Sequence, residues 1–193
     1  MKLILASASP RRAEILAAAG IPFETRATNI DEARDPGESP EIMAERLAGA
    51  KAEAVAQKLD ASESAIVLGA DTVVVADAQV LGKPLSKAAA REMLLSLRGR
   101  EHQVITGFTA VRVPGGALKK GHEVTRVWIA PMTDEEVNAY VETGEPLDKA
   151  GAYAIQGIAG RYIPRIEGCY FNVVGLPLAR IWQVLTSLGW RQG

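Results

Sequence analysis

The sequence has few of the residues that bind soft metals or form disulfides. Its 193 residues include one cysteine, Cys169, and two histidines, His102 and His122. A single cysteine excludes an intramolecular disulfide and a cysteine-based zinc site, and two histidines exclude a histidine-rich metal site. Any bound metal must therefore have oxygen ligands, which favours Mg²⁺ or Mn²⁺.

The chain also lacks an excess of either charge. It has 22 Lys and Arg residues against 23 Asp and Glu residues, a net charge of −1. Proteins that coat a nucleic-acid polymer carry a strong positive field, so we expect no such partner, although a local basic pocket remains open.

Long apolar runs are missing as well. The most apolar segment, Ala65 to Ala76, carries Asp71 in its middle. The N-terminal stretch Leu3–Leu5 is far shorter than the roughly 7–15 apolar residues of a signal peptide. The sequence therefore predicts no membrane association and a cytoplasmic location.

Length and composition predict a single domain over residues 1–193. Hydrophobic residues make up 48% and charged residues 23% of the chain, as in ordinary globular proteins. Domains average about 150 residues, so one domain with two lobes fits the length.

Turn and cap residues divide the chain into alternating elements. Strands are predicted over 2–6, 22–28, 65–76, 102–113 and 123–131. N-caps predict helices after Ser9, Ser39, Ser86 and Thr133, the last with Glu136 in a capping box, and a final helix over 177–189. Early alternation followed by clustered strands favours an α/β fold with a mostly mixed sheet and a second small lobe. Gly69 marks a bulge or a close approach of two backbones.

Several common catalytic motifs do not occur. The sequence contains no G-x-x-x-x-G-K-[ST], no G-x-G-x-x-G, no G-x-S-x-G and no H-E-x-x-H. These absences disfavour P-loop kinases, Rossmann dehydrogenases, elbow-type serine hydrolases and zincins.

Two arginines, Arg11 and Arg12, stand in the first turn of a predicted helix. That turn carries a partial positive charge and free N–H groups, so the arginines disfavour the helix unless an anion binds there. One interpretation is a phosphate-binding site that includes Ser7. The alternative, which also remains open, is that the two arginines are simply solvated.

Asp71 lies among apolar neighbours. A buried carboxylate without a partner is costly, so Asp71 must face polar groups or a cation. It is a candidate catalytic base or metal ligand, and the alternative is a carboxylate satisfied by backbone N–H groups.

Three further charged positions are candidates. Lys51 shares a helical row with Leu47 and Val55, so its side chain either reaches along the surface to solvent or points inward. Lys83 lies between a glycine and a proline, which fix its position and make it a candidate. The alternative is an ordinary exposed lysine in a turn. Glu32, next to Asp31, could bind a metal or could be solvated.

The segment 144–157 is too apolar and rich in glycine for a flexible linker. Its second-to-last residue is Gln156, whose amide offers a donor beside an acceptor. This pair complements N3–H and O4 of uracil or thymine. A buried turn with Gln156 bonded to backbone is the alternative.

Together these segments resemble the Maf family of nucleoside triphosphate pyrophosphatases. The order and spacing agree from Leu3 to the last helix. The motifs that carry the resemblance are Leu5-Ala-Ser-Ala-Ser-Pro-Arg-Arg12, Gly69-Ala-Asp-Thr72, Gly82-Lys-Pro84, Asp148-Lys-Ala-Gly-Ala-Tyr-Ala-Ile-Gln-Gly157 and Val173-Val-Gly-Leu-Pro177.

The resemblance implies hydrolysis of a nucleoside triphosphate between its α and β phosphates. It makes Asp71 the proton acceptor and, with Glu32, a ligand of a divalent cation, Mg²⁺ or Mn²⁺. Residues implied to bind phosphate are Ser7, Arg12, Lys51 and Lys83. Residues implied to choose the substrate are Arg11, Thr72 and Gln156.

The glutamine-bearing loop is similar to that of the family branch that acts on dTTP and UTP. The implied fold is Maf/ITPase-like: a mixed twisted sheet with flanking helices, a second small lobe and a deep cleft between them, usually in a homodimer. Alternatives are a pyrophosphatase for 7-methyl-GTP or other modified bases, a nucleotide-binding regulator of septum formation and division arrest, and an α/β domain that binds phosphosugars.

Overall fold

The computed structural model describes residues 1–60 and 62–192. The strands are β1 (Lys2–Ala6), β2 (Glu24–Thr25), β3 (Ala65–Ala76), β4 (Gln79–Leu81), β5 (Glu101–Val113), β6 (Leu118–Trp128) and β7 (Arg165–Glu167). The α-helices are α1 (Pro10–Ala18), α2 (Pro40–Ala56), α3 (Lys87–Leu97), α4 (Asp134–Glu142), α5 (Tyr170–Val174) and α6 (Leu178–Ser187). Short 3₁₀ helices cover Glu145–Asp148, Ala150–Ala152 and Ile158–Tyr162.

The strands form one seven-stranded mixed sheet in the order β2-β1-β3-β5-β6-β7, with β4 paired to β3. β1 pairs in parallel with both β2 and β3, whereas the β3–β4 and β6–β7 pairs are antiparallel. Helices flank this sheet, and the predicted mixed α/β class is confirmed. Among the described helices, none has the length and apolar character required to cross a bilayer.

The chain divides into two compact units. The first comprises Met1–Asp71, Thr106–Glu123 and the segment that starts at Gly175; the second comprises Thr72–Ile105 and Val124–Val174. In the first unit, apolar side chains of α2 such as Val55 pack with Ile4 of β1 and Val67 of β3. In the second, α3 and α4 contribute Leu94, Val137 and Tyr140 to a larger apolar core.

Two glycines let α2 lie directly on the strands of the first unit. A Cβ atom at Gly69 of β3 would lie 2.1 Å from the Ala48 carbonyl oxygen, and one at Gly107 of β5 would lie 2.2 Å from the Ala44 carbonyl carbon. Contacts this short exclude any side chain at either position unless the helix moves. The predicted close approach at Gly69 is confirmed.

All four predicted N-cap residues stand at helix starts, and three of them make a capping hydrogen bond with the side chain. Ser39 and Ser86 accept hydrogen bonds from Ile42 N and Ala89 N, and Thr133 forms the predicted capping box with Glu136. Ser9 occupies the predicted N-cap position before Pro10, but its side chain makes no capping bond. Its backbone N–H instead donates to Ser7 Oγ.

Short strands account for most of the remaining errors. The strand predicted over 22–28 forms only at Glu24–Thr25, and the strand predicted over 123–131 starts earlier and ends at Trp128. β4, β7 and α5 were not predicted. Each has five residues or fewer, too short for a periodic pattern to show.

Candidate active site

The parallel pairing of β1 and β3 brings two candidate segments to one edge of the sheet. Ala6, the last residue of β1, pairs with Gly69 of β3. Ser7 follows immediately, and Asp71 lies two residues beyond Gly69 on the strand that continues. Side chains beyond the carboxyl ends of parallel strands commonly form the ligand sites of α/β sheets.

Arg12 in the first turn of α1 is a buried cation. Its side chain donates from Nε to the Gly175 carbonyl oxygen at 2.8 Å and from Nη1 to Ser7 Oγ at 3.0 Å. The residue is 8% exposed, so the reading of two solvated arginines is wrong for Arg12, whereas Arg11 is half-buried. Burial lowers the pKa of the Arg12 guanidinium, and the negative charge of Asp71 opposes that shift. Arginine nevertheless keeps its charge in proteins.

Lys51 joins two carboxylates. Its ammonium donates to Glu32 Oε1 at 2.7 Å and to Asp71 Oδ1 at 2.5 Å. The Lys51 side chain does not extend to solvent, since both Lys51 and Asp71 side chains are only 11% exposed. The Glu32 side chain is 50% exposed, so the cluster of three charges runs from the interior to the surface of the first unit.

Glu32 is carried by a loop that sequence analysis left without a support. Glu38, whose side chain is buried, receives two hydrogen bonds from Arg46 of α2, at 2.7 and 2.8 Å. The same guanidinium donates to the carbonyl oxygen of Ala33, next to Glu32, at 2.9 Å. The polar loop is thereby fixed to the helix that also carries Lys51. Arg46 lies five residues before Lys51 on α2, but its contact with Glu38 joins a helix to a loop and leaves no motif in the sequence.

Two carboxylates of the cluster could contribute oxygen ligands to a divalent cation. Glu32 and Asp71 present oxygen donors, the type that Mg²⁺ and Mn²⁺ prefer. Within residues 1–60 and 62–192, no group of three or more His, Cys, Asp and Glu side chains could hold a metal. Mg²⁺ usually binds through one or two carboxylates together with substrate phosphates and water, so two carboxylates suffice.

The remaining predicted residues lie in the second unit. Thr72 is half-buried on β3, directly after Asp71, and Lys83 is exposed after β4. The Gly82 carbonyl before Lys83 accepts a hydrogen bond from Gly151 N at 3.1 Å. Gln156 is exposed in a turn, so the alternative of a buried turn around Gln156 is wrong.

A buried aromatic pair supports the segment before Gln156, and sequence analysis did not find it. His102 Nε2 and the Tyr153 hydroxyl lie 2.7 Å apart, and their rings meet edge to face. Burial lowers the pKa of His102 to about 4 and raises that of Tyr153. The histidine is therefore neutral at pH 7 and cannot serve as a cationic phosphate ligand.

Comparison with known proteins places these features in a family context. The family model described as Maf-like protein matches residues 2–188. A relative from Symbiobacterium thermophilum, named dTTP/UTP pyrophosphatase, is 52% identical over 189 residues, which cover 98% of this chain and 95% of the relative. A relative of the same name from Moorella thermoacetica is 50% identical over 97% of this chain and 95% of its own.

One of the solved structures that match this chain is much less similar to it in sequence. The Ham1 protein of Staphylococcus aureus matches 97% of this chain and 99% of its own chain, with 16% identity and a TM-score of 0.49. Similarity at that level carries no argument about function.

Proposed function

The chain belongs to the Maf-like family, and we propose that it is a nucleoside triphosphate pyrophosphatase that hydrolyses dTTP and UTP. The observation that carries the proposal is the similarity over nearly the whole of both chains to relatives of that name. The cluster of Arg12, Lys51, Glu32 and Asp71 supplies matching chemistry, since it combines cations for phosphate with carboxylates for a metal and a proton.

In the first unit, two buried cations, Arg12 and Lys51, would bind the triphosphate. A cation about 4 Å from a phosphate charge gains on the order of 4 kcal/mol at an effective dielectric of 20, before desolvation. Arg12 is held in place by Gly175 O and Ser7 Oγ, so little side-chain entropy is lost when phosphate binds. Lys51 adds a second buried charge. Lys83 is a third phosphate ligand by its resemblance to the family motif.

The reaction adds water across the α–β anhydride. The water oxygen forms a bond to phosphorus, the bridging P–O bond breaks, and the monophosphate and pyrophosphate separate. Asp71 accepts the proton that the water loses. Because Lys51 contacts Asp71 Oδ1 at 2.5 Å, the ammonium fixes the orientation of the carboxylate that takes the proton.

Glu32 and Asp71 would hold a divalent cation, Mg²⁺ or Mn²⁺. When bound, such an ion neutralises negative charge that develops on the phosphate oxygens. Lys51 contacts the same two carboxylates, so it would share them with the metal.

Choice of the base is assigned to Gln156, with Arg11 and Thr72. The Gln156 amide can accept from N3–H and donate to O4, which uracil and thymine both present. Cytosine has an amino group at C4 and no N3–H, so it needs the opposite amide orientation. A glutamine amide held in this one orientation would therefore accept both dTTP and UTP and disfavour CTP.

The test is a product assay. Purified protein is incubated with Mg²⁺ or Mn²⁺ and each of dTTP, UTP, CTP, GTP and 7-methyl-GTP, and products are separated by chromatography. Monophosphate and pyrophosphate from dTTP and UTP are expected, with activity lost on chelation and restored by metal. Hydrolysis of 7-methyl-GTP alone would contradict the assignment of dTTP and UTP as substrates. Formation of diphosphate and orthophosphate would refute cleavage between the α and β phosphates. Tight binding without turnover would favour a regulator of division.

Assembly and location complete the proposal. The sequence and the family resemblance predict a homodimer with one domain over residues 1–193 in each chain. They also predict a cytoplasmic location, with no nucleic-acid polymer or membrane as partner. Light scattering after gel filtration tests the dimer, and cell fractionation tests the location.

A further inference from the structure

The turn that carries Gln156 closes around a carboxylate to which no role has been assigned. Glu145 Oε2 accepts a hydrogen bond from the backbone N–H of Ile158 at 3.1 Å. Glu145 Oε1 accepts one from the hydroxyl of Tyr140 at 2.8 Å. Tyr140 is 1% exposed in the core of the second unit, so the carboxylate is tied to a rigid point on α4.

Gly157 shows how tightly the turn fits. A Cβ atom there would lie 2.4 Å from Glu145 Oε1 and 2.5 Å from Glu145 Cδ. Any side chain at position 157 would therefore displace the carboxylate or the turn. The turn itself is closed by a hydrogen bond from Gly157 N to Ala154 O at 3.1 Å.

The carboxylate also stabilises the element that follows. Ile158 begins the 3₁₀ helix Ile158–Tyr162, whose N-cap residue, Gly157, has no side chain that could cap it. Glu145 takes that place from thirteen residues earlier, since its oxygen accepts from the first N–H of the helix. Gln156 thus lies directly before a helix start that Glu145 fixes.

We propose that Glu145, oriented by Tyr140, is a positioning residue for Gln156 and thereby sets the choice of pyrimidine base. The inference rests on the proposed function, in which Gln156 reads the base. Gln156 is exposed and has three side-chain torsions, so a base contact requires at least that its backbone is held in one place. Glu145 supplies that constraint without a place in the phosphate chemistry.

The measured quantity is base discrimination, the ratio of kcat/KM for UTP to kcat/KM for CTP. In Glu145→Ala, we expect this ratio to fall by about tenfold or more, mainly through a higher KM for UTP. Glu145→Gln keeps an oxygen for Ile158 N–H and should retain most of the ratio. Tyr140→Phe removes only the hydroxyl that holds Glu145 and should give an intermediate loss, which keeps the test available if Glu145→Ala fails to fold.

Two comparisons separate positioning from general damage. Glu142→Ala, at the end of α4 and three residues before Glu145, removes an exposed carboxylate that pairs with Lys87 and should leave the ratio unchanged. In a Gln156→Ala background, Glu145→Ala should cause no further loss of discrimination, because the residue through which it acts is gone.

The outcomes distinguish this inference from the proposed function. If the wild-type chain hydrolyses neither UTP nor dTTP, the proposed function fails. If it does hydrolyse them, an unchanged UTP/CTP ratio in Glu145→Ala overturns the inference alone, whereas an unchanged ratio in Gln156→Ala overturns both the inference and the assignment of base choice to Gln156. A Glu145→Ala variant that loses activity on UTP and CTP in equal proportion also overturns it, because that result describes a purely structural role.

Discussion

Lys51 Nζ and Asp71 Oδ1 lie 2.5 Å apart, with both side chains nine-tenths buried. One residue comes from the middle of α2 and the other from the middle of β3, twenty positions later. The pair places opposite charges within the first unit of the chain, and each makes the burial of the other tolerable.

Replacing Lys51 by Met should strongly destabilise the chain, because Asp71 would be buried without its cation. We expect a loss of about 3 kcal/mol in the free energy of unfolding, measured by urea denaturation near pH 7. Adding Asp71→Asn to Lys51→Met should recover part of that loss, since the uncompensated charge is then removed.

Lys87→Met is the matched control for this experiment. Lys87 pairs with Glu142 at 2.6 Å, but the two side chains are 50% and 69% exposed. Exposed pairs contribute about 0–1 kcal/mol, so this variant should change stability little. Equal losses in Lys51→Met and Lys87→Met would contradict the importance given to burial of the Lys51 pair.

Asp71→Asn should retain UTP binding and lose turnover. The amide keeps the shape of the carboxylate but cannot accept the proton, so we expect kcat to fall by about 10²–10⁴-fold. Steady-state kinetics and calorimetric titration of UTP measure the two effects. Asp77→Asn, an exposed aspartate paired with Arg100, is the control with expected normal turnover. Near-normal kcat in Asp71→Asn would remove Asp71 from the proton transfer.

Stability should fall on acidification because of His102. Burial lowers its pKa from 6.5 to about 4, so below pH 6.5 the unfolded chain takes up a proton that the native chain does not. The contribution of neutral His102 to the free energy of unfolding is therefore present above pH 6.5. It falls by on the order of 3 kcal/mol as the pH is lowered towards 4. His102→Gln should flatten this part of the pH profile in chemical denaturation. Parallel profiles for the two proteins would show that His102 is protonated equally in both states.

Two glycines, one packed against α2 and one within it, should give opposite results when each is replaced by alanine. Gly69→Ala should destabilise by at least about 2 kcal/mol, because its Cβ meets the Ala48 carbonyl at 2.1 Å. Gly49→Ala, inside α2, places its Cβ an ordinary 3.7 Å from Thr109 Oγ1 and should stabilise the helix by about 0.5–1 kcal/mol. Thermal denaturation measures both, and a stable Gly69→Ala would mean that α2 can shift.

The features that the sequence predicted correctly depend on neighbours close in the chain. The capping box at Thr133 involves residues three positions apart, and the buried strand around Asp71 is one continuous apolar run. The burial of Asp71 indicated a partner but did not identify it, because Lys51 lies on another element.

What the sequence missed requires contacts between distant segments. His102 and Tyr153 are 51 residues apart, and Glu145 meets Ile158 across a loop. The three-residue strands β4 and β7 exist because a longer strand pairs with them, not because of a pattern of their own. Local propensity carries no signal for either kind of contact.

The seating of α2 on Gly69 and Gly107 means that the spacing between the helix and the sheet is set by main-chain atoms. Side chains cannot widen or narrow that gap, so Lys51 spans a fixed interval to Asp71. An arginine at position 51 would be longer and branched, and the fixed spacing leaves no room for it. A positive charge is therefore not sufficient at this position. The backbone of the first unit thus determines the side-chain length that position 51 requires for contact with Asp71.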